Sequence, residues 1–532
     1  MCGIAGKVSD TSAVRRDLVE RMCAAQEHRG PDSRGIHVGE GVGLGVQRLR
    51  VVDLATGDQP IYNEDRSVAV VLNGEIYNYR ELRDDLSSRG HTFSSAGDTE
   101  VLVHLYEELG PDLVHRLNGM FAFALWDERR KRLLIGRDRV GKKPLFYAEG
   151  PGQLTFASEL GSLMADSDVQ RDIDPSSLDS FLAYGYIPAP YSIWNGVRKL
   201  EPAHTLVWEN GRGTVTRYWR LNYSDKTDAE HSELEGELRT KIAAAVRRRM
   251  IADVPVGAFL SGGIDSSIVV SEMAAQSSQP VRTFSIGFDH EAYSELPRAR
   301  MVSERYATEH TEFTVQPDAV ELLPTMARHY GEPFADSSAI PSFYLAELTR
   351  EHVTVALNGD GGDESFAGYR RHLADGMTGW IDQIPRALRA GVEEVARMVP
   401  EPDNRTSARA YAQRYLTTVA TDAPDRYAAH IGLFDASERA AVLAPDLLET
   451  VDPARAASTI RTPWESAGGG ARLDTILQTD IDTYLPGDLL TKMDIATMAH
   501  SLEARSPLLD HEVMEFAAAL PARFKINRGR KK

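Results

Sequence analysis

The 532-residue chain has only two cysteines, Cys2 and Cys23, so no disulfide framework can brace it and a reducing compartment is its natural setting. It has no apolar run near the roughly eighteen residues of a membrane span. Its start, MCGIAGKVSD, lacks the basic-then-apolar pattern of a secretory signal. Cytoplasmic is the expected location. Positive charge is scarce: 60 Lys+Arg against 78 Asp+Glu leave a net charge of −18. Such a field argues against nucleic acid or an anionic membrane as partner, yet allows a small anion in a local pocket. The composition of 42% apolar, 26% charged and 8% aromatic residues excludes a collagenous, mucin-like or wholly disordered chain. Cores rarely exceed about 250–300 residues, so at least two domains are expected.

Up to about residue 220 the pattern is mostly β. Short apolar runs (SVAVVLNG, MFAFALWD, RLLIGRD, PLFYAE, LTFAS) are separated by Gly, Asn and Asp turns. Helical spacing marks ELRDDLSSRG and TEVLVHLYEELG, and DPSSLDSFLAYG offers Asp174 as N-cap with Pro175 in the first turn. The polar stretch 222–230 reads as a linker between a domain at 1–213 and another at 231–532. Beyond it VPVGAFL, RTFSIGF and HVTVALNG read as buried strands, with SSIVVSEMAAQ as a helix after the first. Strands alternating with helices predict a parallel sheet with ligands at the strands' carboxyl ends. Residues 376–470 have Ala, Arg and Leu at helical spacing and carry no recognisable chemistry.

Cys2 follows the initiator Met, which is normally trimmed before a small residue. The freed α-amine, near pKa ~7.7–8.0, can then act as base for the thiol of the same residue, near ~8.5, at a cost of about 1 kcal/mol. Alone, such a cysteine is more often an accident of the start. Here it is followed in order by HRGPD (28–32), QRLRVVD around Arg48, NGEIYN (73–78) and GDTE (97–100). With these motifs, residues 2 to about 210 resemble the class II, N-terminal-nucleophile glutamine amidotransferases. The resemblance implies an α+β domain with a β-sheet sandwich flanked by helices. It makes Cys2 the nucleophile and gives Asn73 and the Gly74 N–H the oxyanion hole. Arg48 would meet the glutamine α-carboxylate, Asp98 its α-ammonium, and Glu75 would border the pocket. Two neutral donors fixed on a turn suit charge that develops only in a tetrahedral intermediate.

SGGIDSS (261–267) lies between a predicted strand and helix. Its glycines, its helix N-terminus and the hydroxyls of Ser261, Ser266 and Ser267 suit phosphate, though a plain connecting loop has the same composition. NGDGGDE (358–364) is either a turn or, beside a phosphate loop, a source of magnesium ligands. Together they resemble the N-type ATP pyrophosphatases. That resemblance implies an α/β parallel-sheet domain with helical additions, ATP held by Leu260, Ser261, Gly262, Gly263, Asp265, Ser266, Ser267, Ile286, Asn358 and Gly359, Mg²⁺ by Asp265 and Asp363, and a part for Asp360 in forming the intermediate. EPFADSSAIP (332–341), LLTKMD (489–494) and SLEARSPLLD (501–510) extend the match. End to end, the chain resembles the glutamine-hydrolysing asparagine synthetase family.

The family's reaction converts aspartate, glutamine and ATP to asparagine, glutamate, AMP and pyrophosphate through β-aspartyl-AMP, with ammonia passed along an internal tunnel. Another carboxylate acceptor, in a secondary metabolite or an envelope polymer, and a non-enzymatic relative remain open, as does assembly as a homodimer. Two departures stand out. Ser365 replaces a usually apolar residue, and the chain stops soon after FKIN, where relatives add helices and a basic loop; a truncated synthetase portion is expected, which Arg530, Lys531 and Lys532 do not replace. GRDRVGKK (136–143) nearly spells a P-loop but lacks the final Ser/Thr and runs into Pro144. GVGLG (41–45) lacks a dinucleotide fingerprint's third glycine, and HEVME (511–515) lacks a second His. RRRM (247–250) and the tail RGRKK read as solvated basic faces.

Overall fold

The computed structural model describes residues 2–287, 295–315, 318–377, 379–400, 408–467 and 470–526. Phe288, at the end of one predicted strand, and the tail RGRKK lie outside them.

Strands β1 (Cys2–Ser9), β2 (Ser33–Gly39), β3 (Val42–Arg48), β8 (Phe146–Gly150), β9 (Gln153–Ala157) and β10 (Val197–Lys199) form one antiparallel sheet in the order β10-β8-β9-β1-β3-β2. A second is built from β4 (Ile61–Tyr62), β5 (Val68–Ile76), β6 (Gly119–Asp127), β7 (Arg132–Arg137), β11 (His204–Glu209) and β12 (Arg212–Arg217), in the order β12-β11-β7-β6-β5-β4.

Strand periodicity explains the layering. In β5 and β6, Ala69, Val71, Ala122, Ala124 and Trp126 face inward onto Ile4, Val8, Leu44 and Val46 of the first sheet. The alternate residues Val70, Leu72, Phe121, Phe123 and Leu125 pack outward on α2 (Tyr79–Ser88) and α3 (Val101–Leu109). The first sheet's other face is covered by α1 (Arg16–Ala24) through Leu18 and Met22. The central strands β1, β3, β5, β6 and β7 are thereby buried on both faces, which is why they read as continuous apolar runs, while the edge strand β2 is half-buried and the edge strand β12 largely exposed. α1 was not legible in a segment that reads as mostly β. The helix Pro175–Tyr184 is capped as its sequence predicts, with the Asp174 side chain accepting from Ser176 N and Gly185 closing it in the left-handed region.

The later half holds a five-stranded parallel sheet: β13 (Val256–Phe259), β14 (Arg282–Gly287), β15 (Glu309–Thr314), β16 (Val355–Leu357) and β17 (Glu503–Arg505), in the order β15-β14-β13-β16-β17. β13 pairs with β14 on one side and β16 on the other, so the strand order reverses there. Helices fill much of the stretch from residue 379 to 466. The outward core of the second antiparallel sheet runs on into Val246, Leu260, Val269 and Val355 of this half. Among the described residues no helix is long and apolar enough to cross a membrane.

Candidate functional site

Cys2 opens β1, and the antiparallel register sets it opposite Arg48, the last residue of β3. Its backbone N lies 3.3 Å from Asn73 Oδ1, and its carbonyl accepts from Arg29 Nε at 3.2 Å. Burial pushes the thiol's pKa up, against the pull of the Arg48 guanidinium and the Leu49 N–H. Arg48 is itself buried, donating to Asp58 (2.7 Å) and to the carbonyls of Val52 (3.0 Å) and Asp53 (2.8 Å).

Asn73, Gly74 and Glu75 lie within β5, paired to Ala122, Phe121 and Met120, and not on the turn that their sequence suggested. The strand position has a consequence. Leu72 N donates to Gln59 Oε1 (2.7 Å) and Ile76 N to Asp98 Oδ2 (2.7 Å), so these alternate N–H groups point away from β6. Period-two geometry aims the Gly74 N–H the same way, between them. A side chain at Gly74, whose φ is +154°, would run into the Met120 carbonyl. Asn73 Nδ2 donates one hydrogen to Ser158 Oγ at 3.3 Å and carries a second.

Glu75 and Asp98 are buried close together. Burial raises both carboxyls, Glu75 well above the ordinary range, and the nearby Glu503 carboxylate adds to it. Arg505, which donates to Glu503 at 2.6 Å, reaches Glu75 only at 3.7 Å. Glu75, Asp98 and Glu503 thus gather three carboxylates around the Arg505 guanidinium, a setting that suits an ammonium group. Glu503 and Arg505 belong to β17 of the parallel sheet, so the later half completes this pocket.

At the reversal point of that sheet, two loops converge. Leu260, Ser261, Gly262 and Gly263 follow β13 and lead into the helix Ile264–Gln276, which carries Asp265, Ser266 and Ser267. Asn358, Gly359 and Asp360 follow β16, and Asp363 lies in the short helix Gly362–Phe366. A Cβ at Gly359 would lie 2.8 Å from Ser266 N and 2.9 Å from Asp265 Cβ, so only glycine lets the loops meet this closely. Gly262 sits at φ +73°, and a Cβ there would be 2.5 Å from the Arg298 carbonyl carbon. The serine hydroxyls bond within their own loop: Ser261 Oγ to Ser266 Oγ (3.0 Å), and Ser267 Oγ to the Gly263 carbonyl (2.6 Å). Leu260 ends buried beside Ser285, whose hydroxyl donates to its carbonyl; Ile286 follows on β14. Ser365 is buried, and its hydroxyl has no partner among the described residues.

The stretch GRDRVGKK, rejected as a phosphate loop, proves to be buried and central. Lys142 Nζ donates to Ser506 Oγ (2.8 Å) and lies 3.7 Å from Asp360; burial pulls its pKa down. Ser506 in turn donates to Asn358 Oδ1 (2.6 Å). Lys143 Nζ donates to Asp494 Oδ1 at 3.1 Å. Arg29 donates to Asp494 Oδ2 (2.8 Å) and Glu159 (2.9 Å) while holding the Cys2 carbonyl. RRRM is likewise not a solvated face throughout: Arg249 is buried and donates to Asp510 at 2.7 Å. A cavity of ≈ 360 Å³, with Lys142, Glu159, Tyr186, His329 and Asp494 among its walls, lies between the two halves.

The halves thus define a two-site architecture: a buried cysteine at the head of a β-sandwich, and a doubly looped parallel sheet packed against it. Residues 1–219 match the glutamine amidotransferase domain family and residues 237–532 match the asparagine synthase family. The chain is 34% identical to "Asparagine synthetase [glutamine-hydrolyzing] 1" of Bacillus subtilis (strain 168), over 99% of its own length and 82% of that protein. It is equally 34% identical to a "Putative asparagine synthetase [glutamine-hydrolyzing]" of Mycobacterium tuberculosis H37Rv, over 99% of its length and 83% of the relative. A putative asparagine synthetase 2 of Methanocaldococcus jannaschii is 36% identical over 73% of this chain and 79% of that one. The chain belongs to the glutamine-hydrolysing asparagine synthetase family.

Proposed function

We propose that the chain makes asparagine from aspartate, with ATP and with ammonia taken from glutamine. A domain at 1–213 hydrolyses glutamine, a domain at 231–532 activates the acceptor, and residues 222–230 link them. With Met1 removed, the amine of Cys2 takes the place of the backbone N, 3.3 Å from Asn73 Oδ1, and relieves its own thiol of a proton. The thiolate attacks the glutamine side-chain amide, while the Gly74 N–H and the second Asn73 hydrogen meet the developing oxyanion; its collapse, with the Cys2 amine returning the proton, expels ammonia and leaves a thioester that water cleaves to glutamate and free thiol. Arg48 takes the α-carboxylate. The α-ammonium enters the acidic corner of Asp98 and Glu75.

At the second site, the backbone of Ser261, Gly262 and Gly263, the helix start at Ile264, Asn358 and Gly359 hold ATP. Asp265 and Asp363 would supply the hard carboxylate oxygens that Mg²⁺ takes, and the ion would offset charge on departing pyrophosphate. Aspartate's side-chain carboxylate attacks the α-phosphorus to give β-aspartyl-AMP and pyrophosphate, with Asp360 beside Lys142 at that step. Ammonia then displaces AMP, reaching it through the ≈ 360 Å³ cavity.

The carrying observation is the register that sets Cys2 against Arg48, with Asn73 and Gly74 on the neighbouring sheet. The test is Cys2→Ala assayed with glutamine and with ammonium salt. Glutamine-dependent AMP release should fall to background while the ammonia-dependent rate persists. Equal loss of both would overturn the two-site reading, and so would an intact mass that still includes Met1. Absence of AMP release with aspartate, but release with another carboxylate, would redirect the acceptor.

A further inference from the structure

We propose that Glu64, His91, His104 and Glu107 bind one divalent cation of the zinc class, on the N-terminal half and apart from both sites above. Glu64 comes from the β4–β5 turn, His91 from the connection after α2, and His104 and Glu107 from one face of α3, three residues apart. The four donor atoms lie within 4.8 Å of one another. His91 Nδ1 is 3.5 Å from Glu64 Oε1 and 3.7 Å from Glu107 Oε2. His104 Nδ1 is 3.5 Å from Glu64 Oε2 and 3.2 Å from Glu107 Oε2. Ligands about 2.0 Å from a tetrahedral zinc are separated by about 3.3 Å, the spacing found here. Only His104 Nδ1 and Glu107 Oε2 are within hydrogen-bond distance; the other three separations are too long for one, so the groups surround a shared centre more than they pair off.

The outer groups are arranged as metal ligands require. His91 Nε2 faces Glu108 Oε1 at 3.3 Å and so turns its Nδ1 inward; His104 does likewise, although its Nε2 lies 3.9 Å from Glu100 Oε1, beyond hydrogen-bond reach. Asn63 Nδ2 donates to Glu107 Oε1 (2.8 Å), leaving Oε2 toward the centre. Thr92 N holds Glu64 Oε1 at 3.0 Å. The His104 side chain is fully buried, whereas that of His91 is 14% exposed and opens the cluster to solvent. Two imidazoles with two carboxylates suit zinc over magnesium, which prefers oxygen alone.

The cation would pin the β4–β5 turn and the 91–92 connection to α3. That helix begins just after Asp98, whose carboxylate holds Ile76 on β5, so the cation braces the floor of the first pocket.

The test uses the full chain, dialysed against chelator and then supplied with excess Mg²⁺ and graded Zn²⁺ or Co²⁺. Wild type should take up one zinc per chain, retained through a second dialysis without chelator, and with cobalt instead show the visible d–d bands of a tetrahedral site without thiolate charge transfer. Its melting temperature should rise with zinc. His91→Ala and Glu64→Gln, both at solvent-accessible positions, should bind at least about 100-fold more weakly and lose the bands, while the metal-free melting temperature stays close to wild type. No retained zinc in wild type, or the same zinc and cobalt bands in both variants, would overturn the site. Neither result depends on amidotransferase activity.

Discussion

Asp494→Ala tests how the two halves are joined. Four buried charges meet between them: Arg29 and Lys143, both 0% exposed in the side chain, and Asp494 and Glu159, at 1% and 6%. They sum to zero. Burial works against the Asp494 carboxylate, but Arg29 and Lys143 outweigh it and hold its pKa below the ordinary range. Removing it leaves one uncompensated cation in a dry setting, and Lys143 loses its carboxylate. Breaking such a pair costs about 3–5 kcal/mol. Removing Lys143 as well, in Lys143→Met with Asp494→Leu, restores neutrality with Arg29 still on Glu159, and should recover all but about 1 kcal/mol.

Equilibrium urea unfolding followed by tryptophan fluorescence reads both numbers. The sign with pH also follows. A depressed carboxyl contributes stability above its unfolded value, near ~3.9, and loses it as pH falls through the folded one, so Asp494→Ala should differ least from wild type in strong acid. A single variant within about 1 kcal/mol of wild type at neutral pH, or a double variant no better than the single, would refute the charge-balance reasoning.

Asp265→Ala should abolish AMP formation while glutamine hydrolysis continues; loss of both would refute the assignment of the β13 loop to ATP alone. Gly262→Ala forces a Cβ into the Arg298 backbone at φ +73°. It should cut AMP release at least about tenfold and spare glutaminase turnover, whereas Gly161→Ala, with nothing within 4 Å, should change neither. Burial raises the Glu364 carboxyl to about 7. The folded state then binds more protons than the unfolded one between about pH 4.5 and 7, so its contribution falls as pH rises through that window. Glu364→Gln should flatten that part of the stability profile, measured by urea midpoints at successive pH values; an unchanged slope would refute the shift.

Several of the juxtapositions in the structure are legible in the sequence because short motifs carry them. Gly262 and Gly359 announce close backbone approaches, and NGEIYN and GDTE name residues that share one pocket. Their relative placement is set by pairing register across strands far apart in the chain, which no local pattern encodes. Periodicity also fails to separate a turn from a strand at Asn73 and Gly74. The largest misreading concerns basic residues. Arg249 looks like solvated charge because arginine usually is, and Lys142 and Lys143 look like the end of a failed phosphate loop; only the tertiary fold brings Asp510, Ser506 and Asp494 to them. The apolar PLFY directly after GKK was the available sign that this loop plunges inward.

Arg505 has a double allegiance. Its main-chain carbonyl accepts from Asn358 N at 2.9 Å, in the loop after β16, while its guanidinium lies between Glu503 and Glu75 on the other side. One residue is therefore a shared wall of two workshops. Any displacement of Asn358 would be felt by the same three-residue strand that carries Glu503 and Arg505 beside Glu75.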